Sequence, residues 1–224
     1  MSGCNLDLLL QSLYKPGDSR SITQNPWLVA IGGQTYAAAT DGVRALYLAT
    51  DGANVIPGAE HLRNKYEPYP MPHLANLLAK VPAPTHQIER SVLSDAVGPG
   101  DVVTWSAEEC SKCEGSGEIK SRDGASDICF ICGGDGSWCE RSDFRAIDPL
   151  LIGGMPDPPS IDAHLARGIF EQLPGDSIAL SAIPGMVVFQ GPGWAFLISP
   201  LSPWRTARTR HVEAVRILLG GASA

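Results

Sequence analysis

The stretch Cys110-Ser-Lys-Cys113-Glu-Gly115-Ser-Gly117 is followed by a second octet of the same pattern, Cys129-Phe-Ile-Cys132-Gly133-Gly134-Asp135-Gly136. Both octets read C-x-x-C-x-G-x-G, and 15 residues separate Cys113 from Cys129. Two CxxC pairs at this separation match the ligand spacing of a structural Cys4 zinc site. The sequence therefore predicts one structural Zn²⁺ held by Cys110, Cys113, Cys129 and Cys132.

The spacing within each octet has a physical reason. Two residues between cysteines let the chain turn so that both sulfurs reach one ion, and the glycines allow positive φ and let backbone N–H groups point at the sulfurs. Four protein ligands close the site, which favours a structural ion over a catalytic one. A CxxC redox site, a pair of disulfides and uncoordinated thiols are the alternatives. Cys139 and Cys4 are expected to be unliganded thiols, although Cys139 could replace a ligand if one octet is distorted.

The octet resembles the cysteine-rich repeat of the DnaJ family of co-chaperones, in which it occurs four times and the modules pair to bind two zinc ions. The resemblance covers roughly residues 108–140, and the chain has no J-domain His-Pro-Asp tripeptide. It implies the local fold of a glycine-rich zinc hairpin with the same four cysteines as ligands, and not a complete DnaJ protein.

Composition predicts a soluble globular protein. The chain has 224 residues, 44% of them hydrophobic, a net charge of −7, and no apolar run approaching the roughly 20 residues that span a bilayer. Its N-terminus lacks the features of a signal peptide, so we expect a reducing, cytoplasmic location in which zinc–thiolate sites are favoured over disulfides. No membrane partner is expected, and overall charge predicts no nonspecific binding to nucleic acid.

Outside the cysteine segment, two regions repeat one order of elements. The first predicts a helix over Leu6 to Leu13 and strands over Trp27 to Ile31, Tyr36 to Ala39 and Val43 to Leu48. The second predicts a helix over Asp162 to Leu173 and strands over Ser177 to Ala182, Met186 to Gln190 and Trp194 to Ile198. Between the first region and the cysteines, a proline-rich connector predicts a short helix within Met71 to Val81 and a strand over Asp101 to Ser106. The sequence thus predicts an α+β fold of two helix-plus-antiparallel-strand halves with an inserted zinc hairpin.

The stretch Thr40-Asp41-Gly42-Val43-Arg44-Ala45-Leu46 resembles the A-T-D-G-x-R-L stretch of bacterial DNA sliding clamps. The order of elements in the later half, from Ile161 to Pro200, is also similar to the clamp pattern. In the clamp family, several such domains join in a ring whose helices line a hole around DNA. The resemblance implies one clamp-like domain that would need self-association or another clamp protein to close a ring. Clamp helices are expected to carry several basic residues, yet the first helix has none and the second has only Arg167.

The predicted domains are a first clamp-like half with the connector (1–107), the zinc insertion (108–145), a second half (146–203) and a basic tail (204–224). The tail is expected to form a helix that carries Arg205, Arg208, Arg210 and Arg216, either as a solvated surface or as a contact for phosphates or an acidic partner. In the insertion, the candidate partner-binding residues are Trp138, Lys112, Lys120 and Arg122. Trp138 is the leading candidate because an aromatic beside a glycine run has little core to enter.

The sequence contains no catalytic signature. It has no P-loop, no G-x-S-x-G elbow, no His-Glu-x-x-His and no dinucleotide fingerprint. A zinc deaminase is disfavoured because the only His-x-Glu near the cysteines, His211-Val212-Glu213, lies downstream of both CxxC pairs. We therefore expect a non-enzymatic accessory factor of DNA replication or a phage-encoded clamp-like protein. The alternative is a protein-interaction or chaperone-like adaptor whose zinc hairpin binds a partner protein.

Overall fold

The computed structural model describes residues 5–15, 21–70, 73–120, 124–129, 132, 136–141, 148–152, 159–201 and 215–217. Within them, the side chains of residues 21, 105–108, 137–141 and 215–217 are not described. The first half of the chain forms α1 (Leu6–Gln11), α2 (Ser21–Gln24), β1 (Trp27–Ile31), β2 (Gln34–Thr40) and β3 (Arg44–Ala49). The predicted first helix and its three following strands are therefore confirmed.

The segment treated as a proline-rich connector is more structured than the sequence suggested. It forms α3 (Leu62–Lys65), α4 (His73–Ala79), β4 (His86–Glu89) and α5 (Arg90–Val97). Helix α4 is the one predicted within Met71 to Val81, and it buries Leu74. The pattern gave no sign of β4 and α5, since β4 has only four residues and follows prolines.

The cysteine segment forms two short antiparallel strand pairs, one nested inside the other. Strand β5 (Trp105–Glu109) pairs with β8 (Ser137–Arg141), and between them β6 (Glu118–Lys120) pairs with β7 (Ser126–Ile128), both antiparallel. The predicted strand over Asp101 to Ser106 begins later than expected, at Trp105. We call residues 109–137, from the end of β5 to the start of β8, the cysteine hairpin.

The second half forms β9 (Pro149–Ile152), β10 (Ser160–Asp162), a 3₁₀ helix (Ala163–Ala166), α6 (Ile169–Gln172), β11 (Ser177–Ile183), β12 (Met186–Gly191), β13 (Trp194–Ile198) and β14 (Val215–Ile217). The continuous helix predicted over Asp162 to Leu173 is wrong. Gly168 adopts a left-handed φ of 67° and separates the 3₁₀ helix from α6. A Cβ there would lie 2.9 Å from the Val102 backbone nitrogen, so this close approach requires glycine.

The two halves share one sheet. Seven antiparallel strands run in the order β1-β2-β3-β13-β12-β11-β4, so β3 of the first half pairs directly with β13 of the second. A second sheet has the order β10-β9-β14, with β14 parallel to β9. The described chain is therefore α+β, with two helix-plus-antiparallel-strand halves and an inserted cysteine hairpin, as the sequence predicts.

The main core lies between the seven-stranded sheet and one layer of helices. Apolar residues of α1, α3, α5 and α6 pack in a single cluster with inward-facing residues of the sheet, and we call these four helices the helix layer. At the centre, Phe170 of α6 meets Phe189 and Phe196 of the sheet edge-to-face at ring distances of 5.0 and 5.6 Å. The opposite face of the sheet is covered by α4, through Leu74, Leu77 and Leu78. No helix in the described part of the chain is long and apolar enough to cross a membrane.

The tail prediction differs from the structure where the two can be compared. Val215–Ile217 is strand β14 and not part of a helix, because its backbone pairs in register with Leu150 to Ile152. Arg205, Arg208 and Arg210 lie outside the described residues. Arg216 lies opposite Leu151 in β14, and its side chain is not described.

Candidate metal centre

The four predicted ligands meet at the base of the cysteine hairpin. Cys110 follows β5 directly and Cys129 follows β7 directly, so the strand pairings bring the start of each octet to the same place. Cys110 and Cys129 are fully buried, and Cys113 and Cys132 are no more than 9% exposed. The four sulfurs all lie within 4.8 Å of one another, close enough to hold a metal ion.

The distances between sulfurs fit one tetrahedral ion better than disulfides. The Sγ atoms of Cys110 and Cys129 are 3.8 Å apart, and those of Cys113 and Cys132 are 3.7 Å apart. Thiolates bound tetrahedrally at about 2.3 Å from Zn²⁺ would lie about 3.8 Å from one another. A disulfide would need about 2.05 Å, and none of the four cysteines forms one. The donor set and its geometry therefore fit a closed Cys4 site.

Backbone hydrogen bonds relate the two octets symmetrically. The N–H of Cys110 donates to the Gly136 carbonyl at 2.9 Å, and the N–H of Cys129 donates to the Gly117 carbonyl at 2.9 Å. Gly117 and Gly136 occupy the same last position of their octets. Each octet thus anchors the first cysteine of the other, which holds the four sulfurs together through the backbone.

Close approach of the octets requires glycine at Gly136. Its φ is 72°, and a Cβ there would lie only 2.2 Å from the Gly115 carbonyl oxygen, which is backbone and has little room to move. Gly115, also at positive φ, packs against the Glu109 side chain. The glycines of the motif therefore allow the octets to touch.

Without a nearby positive charge, the buried sulfurs favour the protonated thiol over the thiolate. The pKa of the Cys113 thiol is raised to about 11 in total: burial raises it most, the Gly117 N–H lowers it, and hydrogen bonds with the neighbouring thiols raise it. A dication at the centre would favour the thiolates instead, since metal ligation requires deprotonated sulfur. Among the described hydrophobic side chains, that of Ile119 also packs against the sulfurs.

The other candidate residues of the insertion are not brought together in the described structure. Lys112 and Lys120 are exposed, and Arg122 lies outside the described residues. Trp138 lies in β8 opposite Glu108, and Cys139 lies opposite Ala107, but neither side chain is described. Cys4 also lies outside the described residues. A role for any of these residues stays a prediction.

A buried charge that the sequence reasoning did not single out connects three segments of the body. Arg44 is fully buried and forms an ion pair with Asp41, with Nε 2.9 Å from Oδ2. Its guanidinium also donates to three backbone carbonyls from separate segments: Leu165 at 3.0 Å, Val103 at 3.1 Å and Ser12 at 3.3 Å. The only sequence signal was the resemblance carried by the Thr40-Asp41-Gly42-Val43-Arg44 stretch, which gave no structural role.

Cations of the helix layer are engaged by acids. Arg167, the one basic residue of the predicted second helix, donates to the Val97 carbonyl at 2.9 Å and to Asp148 Oδ2 at 3.0 Å. Three cations of α3 and α5 are also paired with an acid. The four pairs are Arg63–Asp51, Lys65–Asp7, Arg90–Asp176 and Arg167–Asp148. These side chains would have to give up acidic partners to contact phosphates.

Comparisons of the whole chain give structural matches only. No protein-family model matches it, and no curated protein does. A DNA polymerase sliding clamp from Caulobacter crescentus matches with a TM-score of 0.40 and 14% identity, over 79% of this chain and 56% of that one. A DNA polymerase III beta subunit from Borrelia burgdorferi matches with a TM-score of 0.43 and 8% identity, over 87% and 61%. A putative beta subunit from Eubacterium rectale matches with a TM-score of 0.44 and 11% identity, over 90% and 64%. The chain thus spans about three fifths of the length of these clamps, and similarity at this level assigns no function to it.

Proposed function

We propose that this chain is a non-enzymatic, zinc-stabilised, clamp-like accessory factor of DNA replication. The observation that carries the proposal is the join between β3 and β13, which fuses two helix-plus-three-strand halves into one sheet with both helices on one face. This is the arrangement that the sliding-clamp resemblance of the sequence implies. Fold alone does not determine function, so the proposal depends on the tests below.

The zinc ion belongs to this proposal as a structural element. Cys110, Cys113, Cys129 and Cys132 would hold it, and it would supply the positive charge that keeps four buried sulfurs deprotonated. The ion would stabilise a hairpin of short strands, because small segments without a sizeable core commonly need a metal to fold. We propose residues 108–145 as a unit that loses its structure without zinc while the seven-stranded body stays folded.

Contact with DNA, in this proposal, is made by the tail and not by the helix layer. The helix layer offers cations that already have acidic partners, whereas the tail concentrates Arg205, Arg208, Arg210 and Arg216 in an acidic chain. Arginine side chains supply the salt-dependent attraction to phosphates. We propose that this clamp-like domain assembles with further copies or with another clamp protein to surround DNA.

The test of this proposal is duplex DNA binding as a function of salt. The triple variant Arg205→Gln, Arg208→Gln, Arg210→Gln should bind more weakly and lower the slope of log affinity against log salt by up to about 3. Arg63→Gln serves as the control, because Arg63 is an exposed arginine of the body. The proposal fails if the unaltered protein does not bind duplex DNA, or if the triple variant binds with an unchanged slope.

A second function, a protein-binding adaptor, is favoured by the charge of the insertion. Residues 108–140 contain eight acidic and three basic residues, and a Zn²⁺–Cys4 centre would add two further negative charges. Such a segment repels phosphates. In either function, therefore, the cysteine hairpin is better suited to a protein than to DNA.

A further inference from the structure

Ser116 lies between the two glycines of the first octet, at a position that the C-x-x-C-x-G-x-G pattern leaves open. Its hydroxyl proton has two carbonyl acceptors within reach, that of Cys113 at 2.6 Å and that of Glu118 at 2.9 Å. The same hydroxyl oxygen accepts from the Glu118 N–H at 3.3 Å. One serine side chain therefore joins a ligand residue of the metal centre to the first residue of β6.

The backbone around Ser116 contacts two of the four cysteines. The Ser116 N–H donates to the Cys113 carbonyl at 3.0 Å, and the N–H of the next residue, Gly117, donates to the Cys113 sulfur. The Gly117 carbonyl in turn accepts from the Cys129 N–H at 2.9 Å. The turn from Cys113 to Gly117 thus orients one sulfur and anchors the backbone of a second cysteine, and the Ser116 hydroxyl ties this turn to β6.

We propose that Ser116 is a positioning residue of the metal centre, whose hydroxyl holds the first octet in the orientation at which Cys113 and Cys129 reach the same ion. Hydrogen bonds around metal ligands orient those ligands, and their loss lowers metal affinity. The proposal rests on the proposed function in requiring that zinc binds the four cysteines. It does not require that the chain binds DNA.

The first octet also supplies a matched control. Ser111 lies between Cys110 and Cys113 and is exposed, as Ser116 is, but its side chain has no hydrogen-bond partner among the residues that the structure describes. Ser111→Ala and Ser116→Ala therefore remove the same hydroxyl group from the same octet, with and without its hydrogen bonds. Ser116→Thr keeps the hydroxyl and serves as the conservative variant.

The test uses the full-length protein and these three variants. Competition with a chromophoric chelator should show a zinc affinity about tenfold lower in Ser116→Ala, close to that of the unaltered protein in Ser116→Thr, and unchanged in Ser111→Ala. Loading with Co²⁺ adds a readout of ligand geometry, because the thiolate-to-metal charge-transfer and d–d absorption bands depend on how the sulfurs surround the ion. These bands should shift in Ser116→Ala alone.

Three results would overturn the proposal. The first is a zinc affinity in Ser116→Ala equal to that of the unaltered protein or of Ser111→Ala. The second is an equal loss of affinity in Ser116→Thr and Ser116→Ala, since the hydroxyl would then not be the cause. The third is a lower affinity with unshifted Co²⁺ bands, which would mean that the hydroxyl stabilises the loop without orienting the ligands.

Zinc content of the unaltered protein, measured on the same samples, separates this proposal from the proposed function. An unaltered protein that binds one zinc per chain and gives any of the three results refutes the role of Ser116 alone. An unaltered protein that binds no zinc refutes the zinc-stabilised function on which the proposal rests.

Discussion

Single residues hold this fold together where three segments converge. Arg44 lies fully buried, and its guanidinium satisfies carbonyls from the end of α1, the segment before β5 and the 3₁₀ helix. Asp41 neutralises it and also accepts from the backbone N–H of Val43 and of Arg44. A buried charge is tolerated only when it is paired and hydrogen-bonded, and here one arginine meets that condition with groups from both halves.

Replacing this arginine should destabilise the whole body. Arg44→Met removes the cation, leaves Asp41 buried without its counter-charge, and should lower the free energy of unfolding by about 3–5 kcal/mol. Urea denaturation followed by circular dichroism measures the change. Arg63→Met is the control, because Arg63 is 59% exposed and should cost less than about 1 kcal/mol. Similar losses of unfolding free energy in the two variants would contradict a stabilising role for the buried hydrogen-bond network.

Gly136 makes a second residue-scale prediction. Gly136→Ala should weaken zinc binding, because its Cβ would collide with the Gly115 carbonyl oxygen 2.2 Å away and push the octets apart. The matched control is Gly124→Ala, because Gly124 also has a positive φ, +84°, but nothing lies within 4 Å of the added carbon. Both variants bear the left-handed strain of about 1–2 kcal/mol, so only the collision distinguishes them. Competition with a chromophoric chelator measures zinc affinity, and equal affinities would contradict the close approach of the octets.

At the scale of elements, we expect the cysteine hairpin to depend on its metal centre and the body to fold without it. Strands β6 and β7 have three residues each and contribute no residue to the main core, whose apolar cluster lies between the sheet and the helix layer. An isolated two-stranded hairpin is at best marginally stable in water. The body, by contrast, has a seven-stranded sheet covered on both faces by helices.

Removal of one cysteine ligand should therefore loosen the cysteine hairpin and leave the body folded. Cys132→Ser should lose zinc and expose the amides of residues 109–137 to hydrogen exchange, while the amides of the seven-stranded sheet keep their protection. Cys139→Ser should keep both zinc and protection, because Cys139 lies beyond the second octet. If Cys132→Ser unfolded the sheet as well, the hairpin would not be a separable insertion.

At the scale of the whole molecule, the sequence predicted the elements whose local pattern is strong. It missed the features that depend on long-range packing. Alternating strands and glycine turns predicted six strands of the large sheet, and CxxC spacing predicted the four clustered cysteines. The break at Gly168 could not be predicted, since the apolar period continues through it and the close approach of Val102 to Gly168 is a long-range contact. Strand β14 was missed for the same reason, because a three-residue strand gains its stability from pairing with β9 and not from its own sequence.

Self-association of the body is constrained by its sheet edges. At the β1 edge, the Leu28 N–H donates to the Glu67 carbonyl and the Leu28 carbonyl accepts from the Tyr69 N–H. A neighbouring strand that paired there would have to displace this segment of the chain. An assembly through the sheet would therefore use the other edge, at β4, or other surfaces.

The most direct test of the central claim is native mass spectrometry of the full-length protein before and after treatment with a chelator. We expect one zinc per chain, lost on chelation, together with a mass that reports whether chains assemble. Loss of the zinc should be accompanied by loosening of the cysteine hairpin in hydrogen exchange. A chain that carries no zinc, or whose four cysteines are recovered as disulfides from reducing conditions, would contradict the account.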